Sequence, residues 1–394
     1  MRQGWRWFGP DDPVSLRDIR QAGATDIVTA LHHKYEGQEW SLEEVQERKS
    51  VCAAQGLVWS VCESIPIPSA IKTGSAGADK AIETWKLCLR SLGEAGVPLV
   101  CYNFMPVVDW TRTDLEYALP HGGLALRFDM VDFVAYDVHI LQRPGAEAGY
   151  DSDLVEKAAR RHASMSLEAA LALEHNIISG LPGGEGHYTR ATLRDEIAKY
   201  DGIDAEAMRR NLTAFLSEVA PVAESCDVTL VLHPDDPPFP LFGLPRVVSG
   251  AEDLRTLFAA VPNPANGITL CTGSYGAGRQ NDVPALAGEF CDHIHFAHLR
   301  NVKVEADGSF HESDHLDGRV DMVAVVDLLL AEERRRKASG MDRWEIVMRP
   351  DHGHVLIDDI GKKVNPGYSC IGRLKGLAEL RGIMTALNHE YEGR

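Results

Sequence analysis

Apolar residues in this chain fall into short blocks rich in branched side chains, alternating with longer stretches where they recur every three or four positions. The short blocks predict buried strands and the longer stretches predict amphipathic helices. Strand blocks occur at GWRWFG (4–9), TDIVTAL (25–31), LVWSVCES (57–64) and PLVCYNFM (98–105). Four more, VTLVLHPDD, GITLCTGSYG, IHFAHLRN and WEIVMRPDHGH, end near positions 233, 271, 298 and 351. Ser41-Leu-Glu-Glu44 predicts a capping box opening a helix over 41–55, with Gly56 as its left-handed stop. Ser249-Gly-Ala-Glu252 predicts a second helix opened in the same way, and 321–340 reads as a long helix ending in basic residues and Gly340.

Eight strands alternating with helices predict a (β/α)8 TIM barrel. The rival is an open doubly wound sheet, which would be expected to carry a GxGxxG turn after its first strand, and none is present. The alternation breaks at 107–204, a segment rich in Ala, Arg and Glu that is far too long for an ordinary connection. The expected organisation is a barrel of residues 1–106 and 205–394 with a mostly helical insertion, 107–204, lying as a lid on the C-terminal face. There is no internal repeat or low-complexity tract, and the closing NHEYEGR reads as a polar tail.

Composition narrows the function classes. Of 394 residues, 44% are hydrophobic and 25% charged, which is ordinary for a globular protein. The net charge of −18 and a pI near 5.3 disfavour nucleic acid and anionic membrane surfaces as partners. The eight cysteines are scattered without a CxxC pair, as buried free thiols are, and the N-terminus lacks a signal-peptide apolar core. No run approaches the length of a membrane span. The expected setting is the reducing cytoplasm.

The chemistry collects at the ends of the last four strands, which close on His233, Cys271, His298 and Asp351. Taken singly, each has a structural explanation: a strand-end histidine, a buried thiol, a solvated turn. His298 belongs to a His293, His295, His298 pattern, in which 295 and 298 are three apart and face opposite sides of a strand. Together the four occupy the same relative place on consecutive strands, at the barrel end where active sites lie. Two imidazoles, a thiolate and a carboxylate suit Fe(II), Zn(II), Mn(II) or Co(II) better than Mg(II) or Ca(II).

Longer strings carry a family resemblance. WRWFGPDDPVSLRDIRQAGATDIVTALHH, CYNFMPVVDWTRTDLEY, HPDDPP, CTGSYG, MRPDHGH and NPGYS with IGRLKGLAE resemble the characteristic blocks of the mannonate dehydratases, almost end to end. Residues 300–320 and the C-terminal tail are more individual. The resemblance implies a barrel related to the xylose-isomerase-like sugar isomerases and a hydro-lyase that converts D-mannonate to 2-keto-3-deoxy-D-gluconate in hexuronate breakdown. It also implies one manganese or ferrous ion on His233, Cys271, His298 and Asp351, with no organic cofactor, and a homodimer.

Such a dehydration removes the C2 proton and the C3 hydroxyl, so it needs a base, an acid and stabilisation of charge beside a carboxylate. Tyr368 and His352 are the expected proton-transfer pair, in either order. Their structural alternatives are an aromatic packed under a loop and an orienter of the neighbouring ligand. Arg300 shares the strand face of His298 and is a candidate for the substrate carboxylate. His315, Asn103 and His33 are further pocket candidates, and Trp110 and Arg112 could close over the substrate. Competing readings are a metal-dependent aldose–ketose isomerase, against which Cys271 counts, and a catalytically silent sugar-acid-binding protein. A metal-dependent nuclease is opposed by the charge.

Overall fold

In a computed structural model describing residues 1–35, 37–178 and 188–392, eight parallel strands close into a barrel. They are β1 (Arg2–Arg6), β2 (Asp26–Thr29), β3 (Val58–Glu63), β4 (Leu99–Tyr102), β7 (Thr229–Leu232), β8 (Asn266–Cys271), β9 (Ile294–His298) and β12 (Val347–Arg349). The intervening numbers belong to strands of the loops: β5 (Asp114–Ala118), β6 (Leu124–Phe128), β10 (Asn301–Val304) and β11 (Phe310–Ser313). Closure joins the two ends of the chain, Arg2 pairing with Val347 and Gly4 with Asp26. All eight barrel strands overlap the predicted blocks, β1 beginning two residues before its block of 4–9 and ending at Arg6.

Alternation along these strands sorts the side chains. Val28, Val61, Leu99, Cys101, Val231, Phe296 and Val347 form a small interior cluster that plugs the barrel. The outward residues join a much larger core beneath the helices. Two residues beyond the plug, towards the C-terminal end, the inward positions turn polar: Glu63 after Val61, His233 after Val231, His298 after Phe296, Arg349 after Val347. The apolar plug therefore sets the floor of the site.

The helix Leu42–Ala53 begins at Ser41 with the predicted capping box to Glu44, and Gly56 adopts φ +68°. The second predicted box is not formed. The helix Ala251–Ala260 is capped by Gly250 without a side-chain bond. Ser249 Oγ instead donates to Asp235 at 2.8 Å, because that buried carboxylate accepts both it and the Val248 amide. The helix Met322–Ala338 ends in the expected basic turn. The expected polar tail continues the helix Cys370–Glu392, with residues 393–394 outside the described part.

The insertion contains helices over Met130–Ala135, Ser152–Ser164, Leu167–Ile178 and Arg190–Ala198, but it opens with a hairpin, β5–β6, that the periodicity did not reveal. A second unexpected hairpin, β10–β11, follows β9. The two join in an antiparallel sheet of order β10-β11-β6-β5, with Phe310 opposite Phe128. Two loops thus share one sheet above the barrel mouth.

Candidate active site and metal centre

Strand register places the chemistry in a row. Cys271 pairs with His298, and His298 with Arg349, so three adjacent inward positions stand side by side. His233 extends β7, its amide bonded to Tyr102 O at 2.7 Å. Ligand atoms of His233, Cys271 and His298 lie within 4.8 Å of one another, an arrangement that can hold a metal ion. His233 Nε2 is 3.2 Å from His298 Nδ1. Asp351 closes the group, with Oδ2 3.8 Å from Cys271 Sγ and 3.9 Å from His298 Nδ1. It sits just beyond β12 at φ +61°, which turns the chain back over the mouth. His295 occupies the opposite face of β9 and takes no part.

Without a cation the sulfur and the carboxylate are ionised and His233 carries a balancing proton, which a bound metal would displace. Burial opposes ionisation of Cys271, but Arg300 and the hydrogen bonds of His233 and His298 outweigh it and hold the thiol well below its ordinary range. Ser274 Oγ donates to the same sulfur at 3.0 Å. Burial would lower His233, but its contact with the Cys271 sulfur wins and raises it to about 9. Asp351 is likewise held down against burial, chiefly by Arg349. A thiolate, a carboxylate and two imidazoles fit a borderline-soft divalent ion.

A small cavity of ≈ 60 Å³ opens beside this group. His233, Asp351, His352, Tyr368, Asn103 and Trp110 all line it. His352 Nδ1 lies 3.1 Å from Glu312 Oε1, and its ring meets that of Tyr368 edge-on at 5.1 Å. Burial, only partly offset by Arg349, pushes the Tyr368 phenol up to about 12. Asn103 bridges Asp109 (3.4 Å) and the Met105 amide (3.3 Å).

Four residues expected at the substrate do not line the cavity. His33 is largely exposed beside Glu44, at 3.8 Å, and does not line the cavity. His315 is buried with Nε2 2.7 Å from Pro350 O, so it props the loop carrying Asp351. It packs so closely on Gly376 that a Cβ there would come within 2.2 Å of its ring. Arg300 is 2% exposed and saturated. It donates to Asp351 Oδ2 (2.7 Å), Glu312 Oε1 (2.7 Å), Ser274 Oγ (3.0 Å) and Asp236 Oδ2. Gly273 lets it pass, since a Cβ at that position would stand 2.6 Å from the Arg300 side chain. Arg112 is fully buried behind the cavity, bonded to Asp236 (3.0 Å) and Glu312 (2.9 Å).

The guanidinium groups that do line the cavity are Arg6 and Arg349, neither singled out from sequence. Glu63, also unanticipated, holds both: Arg6 at 2.9 Å and Arg349 at 3.0 Å. Its Oε2 is 3.6 Å from His298 Nε2, an ion-pair distance rather than a hydrogen bond. The signal for both was available, because Glu63 and Arg349 each stand two residues beyond a plug residue on an inward face.

Comparison with known proteins agrees with this geometry. The family model of D-mannonate dehydratase (UxuA) matches residues 1–394. Mannonate dehydratase 2 of Agrobacterium fabrum is 57% identical over 390 residues, covering 99% of this chain and 98% of its own. The crystal structure of a mannonate dehydratase from Streptococcus suis serotype 2 superposes with a TM-score of 0.76 at 33% identity, covering 100% of this chain and 95% of that one. A xylose isomerase domain protein from Planctomyces limnophilus shares the barrel alone, with a TM-score of 0.50 at 10% identity, covering 100% and 99% of the two chains.

Proposed function

The chain belongs to the D-mannonate dehydratase family, a family of hydro-lyases, and from that premise we propose how its residues dehydrate D-mannonate to 2-keto-3-deoxy-D-gluconate. His233, Cys271, His298 and Asp351 hold one divalent ion, manganese or ferrous iron, which supplies Lewis-acid polarisation next to the reacting carbons. The mutual approach of the four donors carries this reading.

The substrate carboxylate is held by Arg6 and Arg349, the two guanidinium groups facing the cavity. Arg300 serves instead to tie Asp236, Glu312 and Asp351 together. His352 takes the C2 proton. Glu312, an ionised carboxylate, accepts a hydrogen bond from Nδ1–H of His352 and leaves the Nε2 lone pair for the substrate. The Tyr368 phenol, kept protonated by burial, gives its proton to the departing C3 hydroxyl. The resulting enol then tautomerises to the 2-keto acid.

The insertion 107–204 acts as a lid, supported by Trp110 in the cavity wall and Arg112 locked onto Asp236 and Glu312. Among the described residues no helix is long and apolar enough to cross a membrane. We place the enzyme in the cytoplasm as a homodimer, the first from its unpaired buried thiols and the second from the family resemblance.

Metal-stripped protein incubated with D-mannonate should form a 2-keto-3-deoxy acid only after Mn(II) or Fe(II) is restored. Cys271→Ser should lose both metal and product. Tyr368→Phe should keep its metal and lose turnover, and full activity in that variant would remove Tyr368 from the mechanism. No product from the folded, metal-loaded wild type would reject the dehydratase reading.

A further inference from the structure

The groups assigned to the reaction stand on one side of the barrel mouth, and the opposite wall of the cavity is built from other residues. In the ring of strands, β4 lies four places from β12, directly across the barrel. His352 and Tyr368 follow β12. Asn103 and Asp109 follow β4 and line the same cavity. The centre of His233, Cys271, His298 and Asp351 engages the intervening strands and β12, leaving the β4 side for the rest of the ligand.

Three observations show that this wall is polar and incompletely satisfied. The Asp109 carboxyl borders the cavity, and its side-chain hydrogen-bond partner among the described residues is Asn103, whose Nδ2 donates at a long 3.4 Å. Asn103 is oriented for that contact because its own oxygen accepts the Met105 amide. Next to Asp109, the Trp110 indole N–H is buried without a hydrogen-bond partner among the described residues, and its ring meets His352 edge-on at 6.1 Å. A buried donor with no acceptor is costly unless a ligand satisfies it. Burial also pushes the Asp109 carboxyl up, with the Lys72 charge and the Asn103 amide opposing.

We propose that Asp109, steadied by Asn103 and aided by the Trp110 N–H, binds hydroxyls at the far end of the sugar-acid chain and so selects which aldonates enter. A carboxyl accepts hydroxyl hydrogens at either oxygen, and a side chain facing Asp109 without such hydroxyls would leave it buried and underpaired. The inference rests on the proposed seating of carbons 1 to 3 at the cation centre, His352 and Tyr368. The distal carbons then point towards β4. Asp109 is thus a positioning and specificity residue supplied by the first residues of the insertion.

The test compares D-mannonate with L-erythronate, a four-carbon aldonate that keeps the carboxylate, the C2 and C3 configuration and a C4 hydroxyl but lacks the C5 and C6 hydroxyls at the far end. Measured on metal-loaded protein are kcat and KM for D-mannonate and the competitive inhibition constant of L-erythronate. Asp109→Ala should lower kcat/KM for D-mannonate roughly 10- to 100-fold, the loss of one or two hydrogen bonds to a charged group. Its L-erythronate constant should stay within about twofold of wild type, and Asp109→Asn, which retains one acceptor, should fall between. Equal losses for both ligands would overturn the proposal by showing a merely structural role. No loss for D-mannonate, or a loss in kcat alone, would overturn it too. If the wild type fails to convert D-mannonate, the dehydratase reading fails instead, and the comparison separates the two failures.

Discussion

Arg300 shows how much a single side chain's role depends on what surrounds it. From sequence it reads as a substrate ligand, two residues beyond His298 on one strand face. In the fold its guanidinium is shared among Asp236, Glu312 and Asp351, so no edge is left for a substrate carboxylate. Replacing it with Met would leave three buried carboxylates short of a cation, a loss on the order of 3–5 kcal/mol. Arg300→Met should therefore lose thermal stability and metal together, read by calorimetry and by metal content. A variant of normal stability whose only defect is a raised KM would return Arg300 to substrate binding. The four proposed ligand positions could be read from sequence because each lies at, or one or two residues beyond, the C-terminal end of a strand block. The role of Arg300 could not, because its partners come from the loops after β7, β9 and β12, and nothing local to 298–300 announces them. His33 failed for a similar reason: its side chain found Glu44 and solvent.

Among elements, the barrel strands were legible and the loop strands were not. The barrel strands carry runs of branched residues buried on both faces, which local pattern detects well. The strand β5 is partly exposed, and DLEYA alternates polar and apolar residues over too few positions to stand out from a loop. One signal was present, an Asp307-Gly308 turn between two alternating stretches, with Gly308 at φ +95°. The sheet they build has a mechanical role, since it couples the insertion to the loop that supplies Glu312. Its centre is Phe310, fully buried, stacked on Phe128 at 5.6 Å and lying under the Arg112 guanidinium at 4.9 Å. Phe310→Ala removes about 3–5 kcal/mol of packing from this joint. Because the barrel has its own core, the expected effect is local. Limited proteolysis within 107–204 should accelerate at least tenfold and KM should rise, while far-ultraviolet dichroism stays near wild type. Loss of the whole fold at the same temperature as the cap would show that cap and barrel are one cooperative unit.

At the scale of the whole molecule, the site and the closure of the barrel depend on each other. The barrel closes through pairing between β1 and β12, residues more than three hundred positions apart, so the last strand holds its place only when the ring is complete. A cation bound by His233, Cys271, His298 and Asp351 ties together β7, β8, β9 and the turn after β12, half of the ring. Around it, Arg6, Arg112, Arg300 and Arg349 are interleaved with Glu63, Asp236, Glu312 and Asp351, each acidic group touching at least one of the four arginines. These opposed charges balance, so the Cys271 thiolate carries charge that only a bound cation or a proton on a neighbouring imidazole can neutralise. Binding that favours the folded state alone adds about 2.7 kcal/mol at a hundred times the dissociation constant. Chelation should therefore lower the melting temperature by several degrees. Adding Mn(II) back should raise it in proportion to the logarithm of free metal, and Cys271→Ser should flatten that dependence. A melting temperature indifferent to metal, in a protein whose turnover still requires it, would mean that the cation arrives only with substrate. The four side chains would then be a waiting site held together by arginine and glutamate rather than by the ion.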